Sequence, residues 1–254
     1  MYHSVSAWGE RDALTVDKDQ LEAHFKSLHK GRYNTILMSE LIAFQEGRGQ
    51  LPEKPVLITF DDGFHNNFDI AYPLARRYGI RLNFFVVPSF IQRGEYRGMH
   101  TMSAEDIRSL HPSWVEIGLH SFEHQSYNQM TPVKMGQDID DTMAALREMG
   151  ITCQPVLAYP FGAYPKRPGH NRDSLFQLLE EKGIKLAFRI GNRVNTLPLK
   201  NKYTVQRMDI TGRDSLALFE WSLKYGKKRV RWAKSLLRDR SSTASSTSTC
   251  SSQG

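Results

Sequence analysis

The sequence predicts an α/β protein built as a distorted (β/α) barrel of about seven parallel strands. Three observations carry this expectation. Short apolar runs bounded by Gly, Pro or polar residues recur along the chain, and stretches of helical period separate them. Pairs of chemistry-bearing residues stand at the C-terminal ends of two of these runs, where parallel α/β folds place their sites. The chain has 254 residues, 40% hydrophobic and 24% charged, enough for one large domain with a sizeable core.

In chain order, strands are expected at Thr35–Met38, Val56–Phe60, Leu82–Val87, Val115–Leu119, Val156–Tyr159, Leu186–Arg189 and Thr204–Met208. Met1–Val5 reads as the remnant of one more. Helices are expected at Asp17–Lys30, Ser39–Glu46, Asn67–Tyr78, Ser103–Leu110, Pro132–Met149 and Arg172–Lys182. Apolar runs alternating with helices read as βα units, and this many units favour a barrel over an open sheet. Residues 1–212 are assigned to this domain. Residues 213–240 are expected to form a basic C-terminal helix, running from Asp214 to about Arg238, and residues 241–254 a disordered Ser/Thr-rich tail.

The formal net charge is +7, and much of the excess falls between Lys224 and Arg240. Trp221, Tyr225, Val230, Trp232, Leu236 and Leu237 are interleaved with those cations. The segment fits an anionic membrane surface or an acidic glycan. The plainer reading, which is favoured, is a terminal helix docked by its apolar positions with a solvated basic face. No nucleic-acid motif is present, and nucleic acid is not an expected partner. The two cysteines, Cys153 and Cys250, suggest neither a structural disulfide nor a thiolate metal site. No apolar run reaches the ~18 residues of a membrane span, and Met1–Val5 has no signal-peptide character. Cytoplasmic is the default expectation, with cell envelope or exterior if a leader precedes the chain. Oligomeric state has no sequence signature here.

Asp61 and Asp62 end the apolar run Val56-Leu57-Ile58-Thr59-Phe60, and Gly63 permits a tight exit. His120 and His124 follow Val115-Glu116-Ile117-Gly118-Leu119. Their spacing puts both rings on one face if Ser121–His124 begins a helical turn. One carboxylate plus two imidazoles is a mononuclear metal site with open positions, and the spare carboxylate is then a candidate general base. That chemistry is metal-assisted hydrolysis. Either pair alone would more often be a surface turn or a solvated face; their shared position at strand ends separates them from that background. His3 falls where a first barrel strand would end, facing the same rim, so it is a candidate for substrate contact or proton donation and equally for a packed histidine. Arg207, on the last expected strand, is a candidate for substrate contact or for pairing with a buried carboxylate.

Thr59-Phe60-Asp61-Asp62-Gly63, His120-Ser121-x-x-His124 and Ala158-Tyr159-Pro160-Phe161-Gly162 together resemble, in order, three motifs of the NodB-homology polysaccharide deacetylases. Leu82-Asn83-Phe84-Phe85-Val86 is similar to the strand after the first motif. Tyr2-His3-Ser4-Val5 resembles the start seen in the branch acting on poly-N-acetylglucosamine. The resemblance covers about residues 1–210. It implies a distorted (β/α) barrel, and Asp62, His120 and His124 as ligands of a divalent cation, most often Zn²⁺, with Co²⁺, Ni²⁺ or Mn²⁺ as alternatives. It implies Asp61 as the base that takes a proton from water attacking an N-acyl carbonyl, and the Phe161 backbone N–H as oxyanion donor. Tyr159 and Pro160 would shape the substrate-binding turn. The implied activity is N-deacetylation of an amino-sugar glycan or glycolipid, releasing acetate. Hydrolysis of cyclic amides or ureides and non-catalytic glycan binding are the alternatives. Two departures stand out. Ala158 occupies a position where many members carry an Arg that orients the base, so either another cation or water does so or Asp61 is less well tuned. No His follows His170, where the family often has a general acid.

Overall fold

A computed structural model describes residues 1–167 and 169–227. Six parallel strands form one sheet: β1 (Ile58–Asp62), β2 (Leu82–Val86), β3 (Val115–Leu119), β4 (Val156–Ala158), β5 (Leu186–Ile190) and β6 (Val205–Arg207). They are ordered in space as in sequence, so each connection steps to the next strand. Every residue of β1 and β2 is buried. Burial on both faces is why these strands read as unbroken apolar runs rather than alternating ones. In register, Asp62 lies opposite Val86, and Val86 opposite Leu119, so the C-terminal ends of β1 to β3 reach the same level.

The sheet curls, and its two edges are joined through the start of the chain. Tyr2 bridges to Phe60 in parallel, its N–H donating to the Thr59 carbonyl at 2.8 Å and its carbonyl accepting from Asp61 N at 2.9 Å. On the other side, the Met1 carbonyl accepts from Ile210 N, just beyond β6, at 3.0 Å. The distorted barrel expected from the sequence is therefore present, with a different seventh position. The expected strand Thr35–Met38 contributes only Asn34–Thr35, paired with Pro55–Val56 outside the main sheet. Met38 instead begins a helix, its N–H held by the buried Asn83 side chain at 2.9 Å.

The helices are α1 (Lys18–Lys30), α2 (Met38–Gln45), α3 (Tyr72–Arg77), α4 (Pro88–Arg93), α5 (Ala104–Ser109), α6 (Pro132–Glu148), α7 (His170–Glu181) and α8 (Leu216–Tyr225). Their starts follow local chemistry. Asp17 caps α1 by accepting from Gln20 N at 2.7 Å, and Ser103 and Asp106 form a reciprocal capping box on α5. The expected helix Asn67–Tyr78 begins with one π turn over Asn67–Ala71 before α3. Helix α4 and the hairpin Glu95–Tyr96/Met99–His100 have no counterpart in the sequence expectations. Of the helix expected from Asp214 to about Arg238, the described residues contain α8, which ends at Gly226 (φ 77°) before most of the basic run. Most of the basic run, from residue 228, and the expected tail at 241–254 lie outside the described residues. Among the described residues no helix is long and apolar enough to cross a membrane.

Candidate metal centre and active site

Asp61 and Asp62 are the last residues of β1 and are almost wholly buried. Asp62 has a left-handed φ of 71°, which turns its side chain away from the direction a regular strand would give it. Its Oδ1 lies 3.5 Å from His120 Nε2 and 3.3 Å from His124 Nε2, yet is a buried oxygen without a hydrogen bond. Three donor atoms from Asp62, His120 and His124 fall within 4.8 Å of one another. His120 Nδ1 is 2.7 Å from the Ala158 carbonyl. A carbonyl can only accept, so Nδ1 carries a proton, and in the neutral ring Nε2 presents its lone pair to the cluster. An orphaned carboxylate oxygen facing two imidazole nitrogens fits a divalent cation, and the N,N,O set leaves positions open.

Four non-glycine residues here adopt left-handed backbone: Asp62, Ser121 (φ 66°), His124 (φ 57°) and Phe161 (φ 58°). Such conformations cost about 1–3 kcal/mol each and persist where surrounding structure enforces them, as at functional sites. The expected helical turn over Ser121–His124 is not formed. The two histidines converge because the loop twists through Ser121 and His124, not through helical spacing.

Asp61 is gripped by Arg207. The guanidinium donates to Oδ1 at 2.6 Å and Oδ2 at 2.7 Å, with a further contact to Thr59 Oγ1 at 3.3 Å. Arg207 is buried and lies 5.2 Å from the Phe85 ring centroid. Gly118 on β3 makes room for that ring, since a Cβ there would come within 2.5 Å of Phe85 Cε1. Substrate contact by Arg207 is therefore corrected: its head group faces Asp61 inside the barrel. It supplies the orienting cation that Ala158 cannot. Burial alone would raise the Asp61 carboxyl, but the Arg207 charge, then that of His120, holds it well below the usual carboxylate range. Burial and the neighbouring His120 lower His124 to about 4, whereas the charges of Asp61 and Asp62 outweigh burial and raise His120.

Tyr159 and Pro160, the residues expected to shape the turn, are both enclosed within it. Tyr159 is fully buried, stacks on Tyr164 at 5.1 Å and donates its hydroxyl to the Tyr203 carbonyl at 3.1 Å. Pro160 is buried as well. Both build the turn from beneath, and neither side chain is exposed. Phe161 is the exposed member, 59% accessible, its ring set edge-on to His124 with centroids 4.5 Å apart. His3 follows the Tyr2 that bridges to Phe60, at the edge of β1. Its carbonyl accepts from Asn67 Nδ2 at 2.7 Å, and its Nδ1 is buried without a partner.

The sequence reading missed several supports. Phe90 and Tyr96 stack at 3.9 Å and each stands 5.8 Å from the His124 ring. Asn66 holds Val5 N, and Asn67 holds the His3 carbonyl. The adjacent Asn66-Asn67 pair, separated by two residues from the Asp-Asp-Gly turn, was the available signal.

A barrel whose strand ends carry two carboxylates and two imidazoles, three of them clustered as metal donors, defines a class of folds with a metal-ready rim. The polysaccharide deacetylase family model matches residues 48–174, and the chain belongs to that family. The Bacillus subtilis (strain 168) protein YxkH, provisionally named a polysaccharide deacetylase, is 30% identical over 164 residues, 65% of this chain and 56% of YxkH. The chain thus spans little more than half the length of that relative. The poly-β-1,6-N-acetyl-D-glucosamine N-deacetylase of Staphylococcus aureus (strain NCTC 8325 / PS 47) is 20% identical over 206 residues, 78% of this chain and 68% of that protein. The fold is shared with the Streptococcus pyogenes deacetylase PplD (TM-score 0.74, 16% identity, 88% of this chain and 96% of that one). It is shared too with IcaB from Ammonifex degensii (TM-score 0.71, 22% identity, 87% and 94%).

Proposed function

We propose that this protein is a metal-dependent hydrolase that removes N-acetyl groups from an amino-sugar glycan or glycolipid and releases acetate. The observation that carries the reading is the unpartnered Asp62 Oδ1 facing two imidazole nitrogens, beside a second carboxylate already locked by Arg207. Asp62, His120 and His124 would hold the cation, with Zn²⁺ the favoured occupant for two nitrogens and one carboxylate. When bound, it would supply a Lewis acid that activates water and polarises the acyl carbonyl. Asp61, kept ionised and aimed by Arg207, takes the proton from attacking water. The Phe161 N–H is the proposed oxyanion donor, on a turn stiffened by Pro160. His3 is the proposed proton donor to the leaving amine, since no histidine follows His170 and His3, next to the Tyr2 that pairs with β1, has a buried Nδ1 without a partner.

Acetate release from short N-acetylglucosamine oligomers, with Zn²⁺, Co²⁺ or Ni²⁺ added back after chelation, tests the reading. Metal-restored release is expected. A protein that binds metal but stays silent on a broad N-acyl panel would be a glycan binder. Turnover of cyclic ureides but not sugars would transfer it to the alternative hydrolase class.

The basic C-terminal segment supports a second, independent contact. Residues 224–240 hold eight of the 34 Lys and Arg and one of the 27 acids, which leaves 26 of each elsewhere. The whole net charge therefore sits in that segment. At its start, α8 exposes Leu216, Trp221 and Tyr225, with the two aromatic rings 4.6 Å apart. Aromatic residues followed by concentrated cations suit an anionic bilayer surface. Co-sedimentation with phosphatidylglycerol vesicles but not phosphatidylcholine vesicles, reversed by high salt, is expected. Equal recovery with both vesicle types, or with neither, would dispose of the lipid contact.

A further inference from the structure

The loop from His120 to Tyr127 carries both imidazoles, yet its residues 120–126 belong to no helix or strand. It also holds the two strained residues Ser121 and His124. A single carboxylate on the neighbouring helix restrains it from both sides. Asp138, in α6, accepts from Ser121 Oγ at 2.8 Å and Phe122 N at 3.0 Å through Oδ1, and from Tyr127 Oη at 2.6 Å through Oδ2. Ser121 Oγ in turn accepts from Gln125 N at 3.2 Å. The backbone just before His124 and just after it is thereby tied, directly or through Ser121, to one side chain. Helix α6 is a firm base for that anchor: Met135 and Ile139 bury its inner face, and Thr142 Oγ1 returns a bond to the Asp138 carbonyl at 2.6 Å. Tyr127 extends the link, its ring edge-on to Tyr159 at 5.6 Å beneath the Phe161 turn.

We propose that Asp138 is a positioning residue of the metal centre, holding the left-handed loop that aims His124 Nε2 at Asp62. The proposal rests on the reading of Asp62, His120 and His124 as the metal ligands. Without the carboxylate, the loop keeps the Ser89 N–H bond to the Phe122 carbonyl at 3.1 Å but loses the three bonds that hold Ser121, Phe122 and Tyr127, and the strained backbone relaxes away from the ligand geometry. Supporting groups around a metal site typically change affinity by about 10–100-fold when removed.

The test is zinc affinity measured by competition with a chromophoric chelator, together with the visible spectrum of the Co²⁺ form. Asp138→Leu is expected to weaken zinc binding by about 10–100-fold and to alter the Co²⁺ spectrum. Asp138→Asn keeps an oxygen for Ser121 and Phe122, so it is expected to retain most of the affinity. A folded Asp138→Leu protein with unchanged zinc affinity and an unchanged Co²⁺ spectrum overturns the proposal, even if its thermal midpoint falls, because a merely structural residue would do only that. Should Asp138→Leu fail to fold, Ser121→Ala removes the hydroxyl link alone. Weakened zinc binding there supports the proposal, and wild-type affinity overturns it. Wild-type protein that binds no zinc or cobalt would instead refute the underlying metal-site reading.

Discussion

Arg207→Met should lower folding stability by about 3–5 kcal/mol, because it leaves the Asp61 carboxylate buried without its partner. The pair is bidentate, with both side chains almost fully enclosed, so neither water nor salt can take over from the guanidinium. Arg207→Lys should recover only part of the loss, since an ammonium is a point charge and cannot donate in parallel to both oxygens. Acetate release should fall as well, by about 10²-fold for a base displaced by an ångström or so. Adding Asp61→Asn to Arg207→Met should restore much of the stability but none of the activity, since the double variant buries no unpaired charge. Urea unfolding of the wild type, both single variants and the double variant separates these effects. Additive losses in the double variant would mean that the two side chains do not depend on each other.

Asp61→Asn alone should reduce acetate release by about 10²–10⁴-fold, the range associated with a positioned general base. Zinc affinity should change little, because Asp62, His120 and His124 are intact. That division between rate and affinity is the diagnostic. A loss of metal binding equal to the loss of rate would make Asp61 a ligand and not the base. His3→Ala gives the companion measurement. If His3 protonates the leaving amine, its removal slows turnover with zinc affinity preserved. An unchanged rate would leave His3 as packing beside Asn67, and the proton would have to come from elsewhere in the site.

Much of the candidate site was legible because its signals are local. A buried strand must be apolar on both faces, so the point where Val56–Phe60 gives way to Asp61-Asp62-Gly63 marks a strand end in plain sequence. The same holds where Val115–Leu119 gives way to His120. The supporting shell was not legible. A mid-helix Asp138 looks like a solvated position, as its neighbours Gln137 and Asp140 are. Tyr159 in an aromatic turn suits a substrate platform as well as a buried brace. Left-handed backbone at Ser121, His124 and Phe161 has no signature, because only glycine or asparagine advertises such angles.

The chain by itself therefore determined the order of βα units, the strand ends that carry Asp61, Asp62, His120 and His124, and the family motifs among them. The tertiary structure decided how those groups are armed. Arg207 and Asp61 stand 146 residues apart, on the first and last strands of the sheet. They meet only because the sheet curls until its edges face each other across Tyr2. Hydrophobic pattern specifies which faces are buried and so encodes strands and helices locally. Which charge meets which inside a closed barrel depends on curvature, a collective property of all six strands that no single segment records.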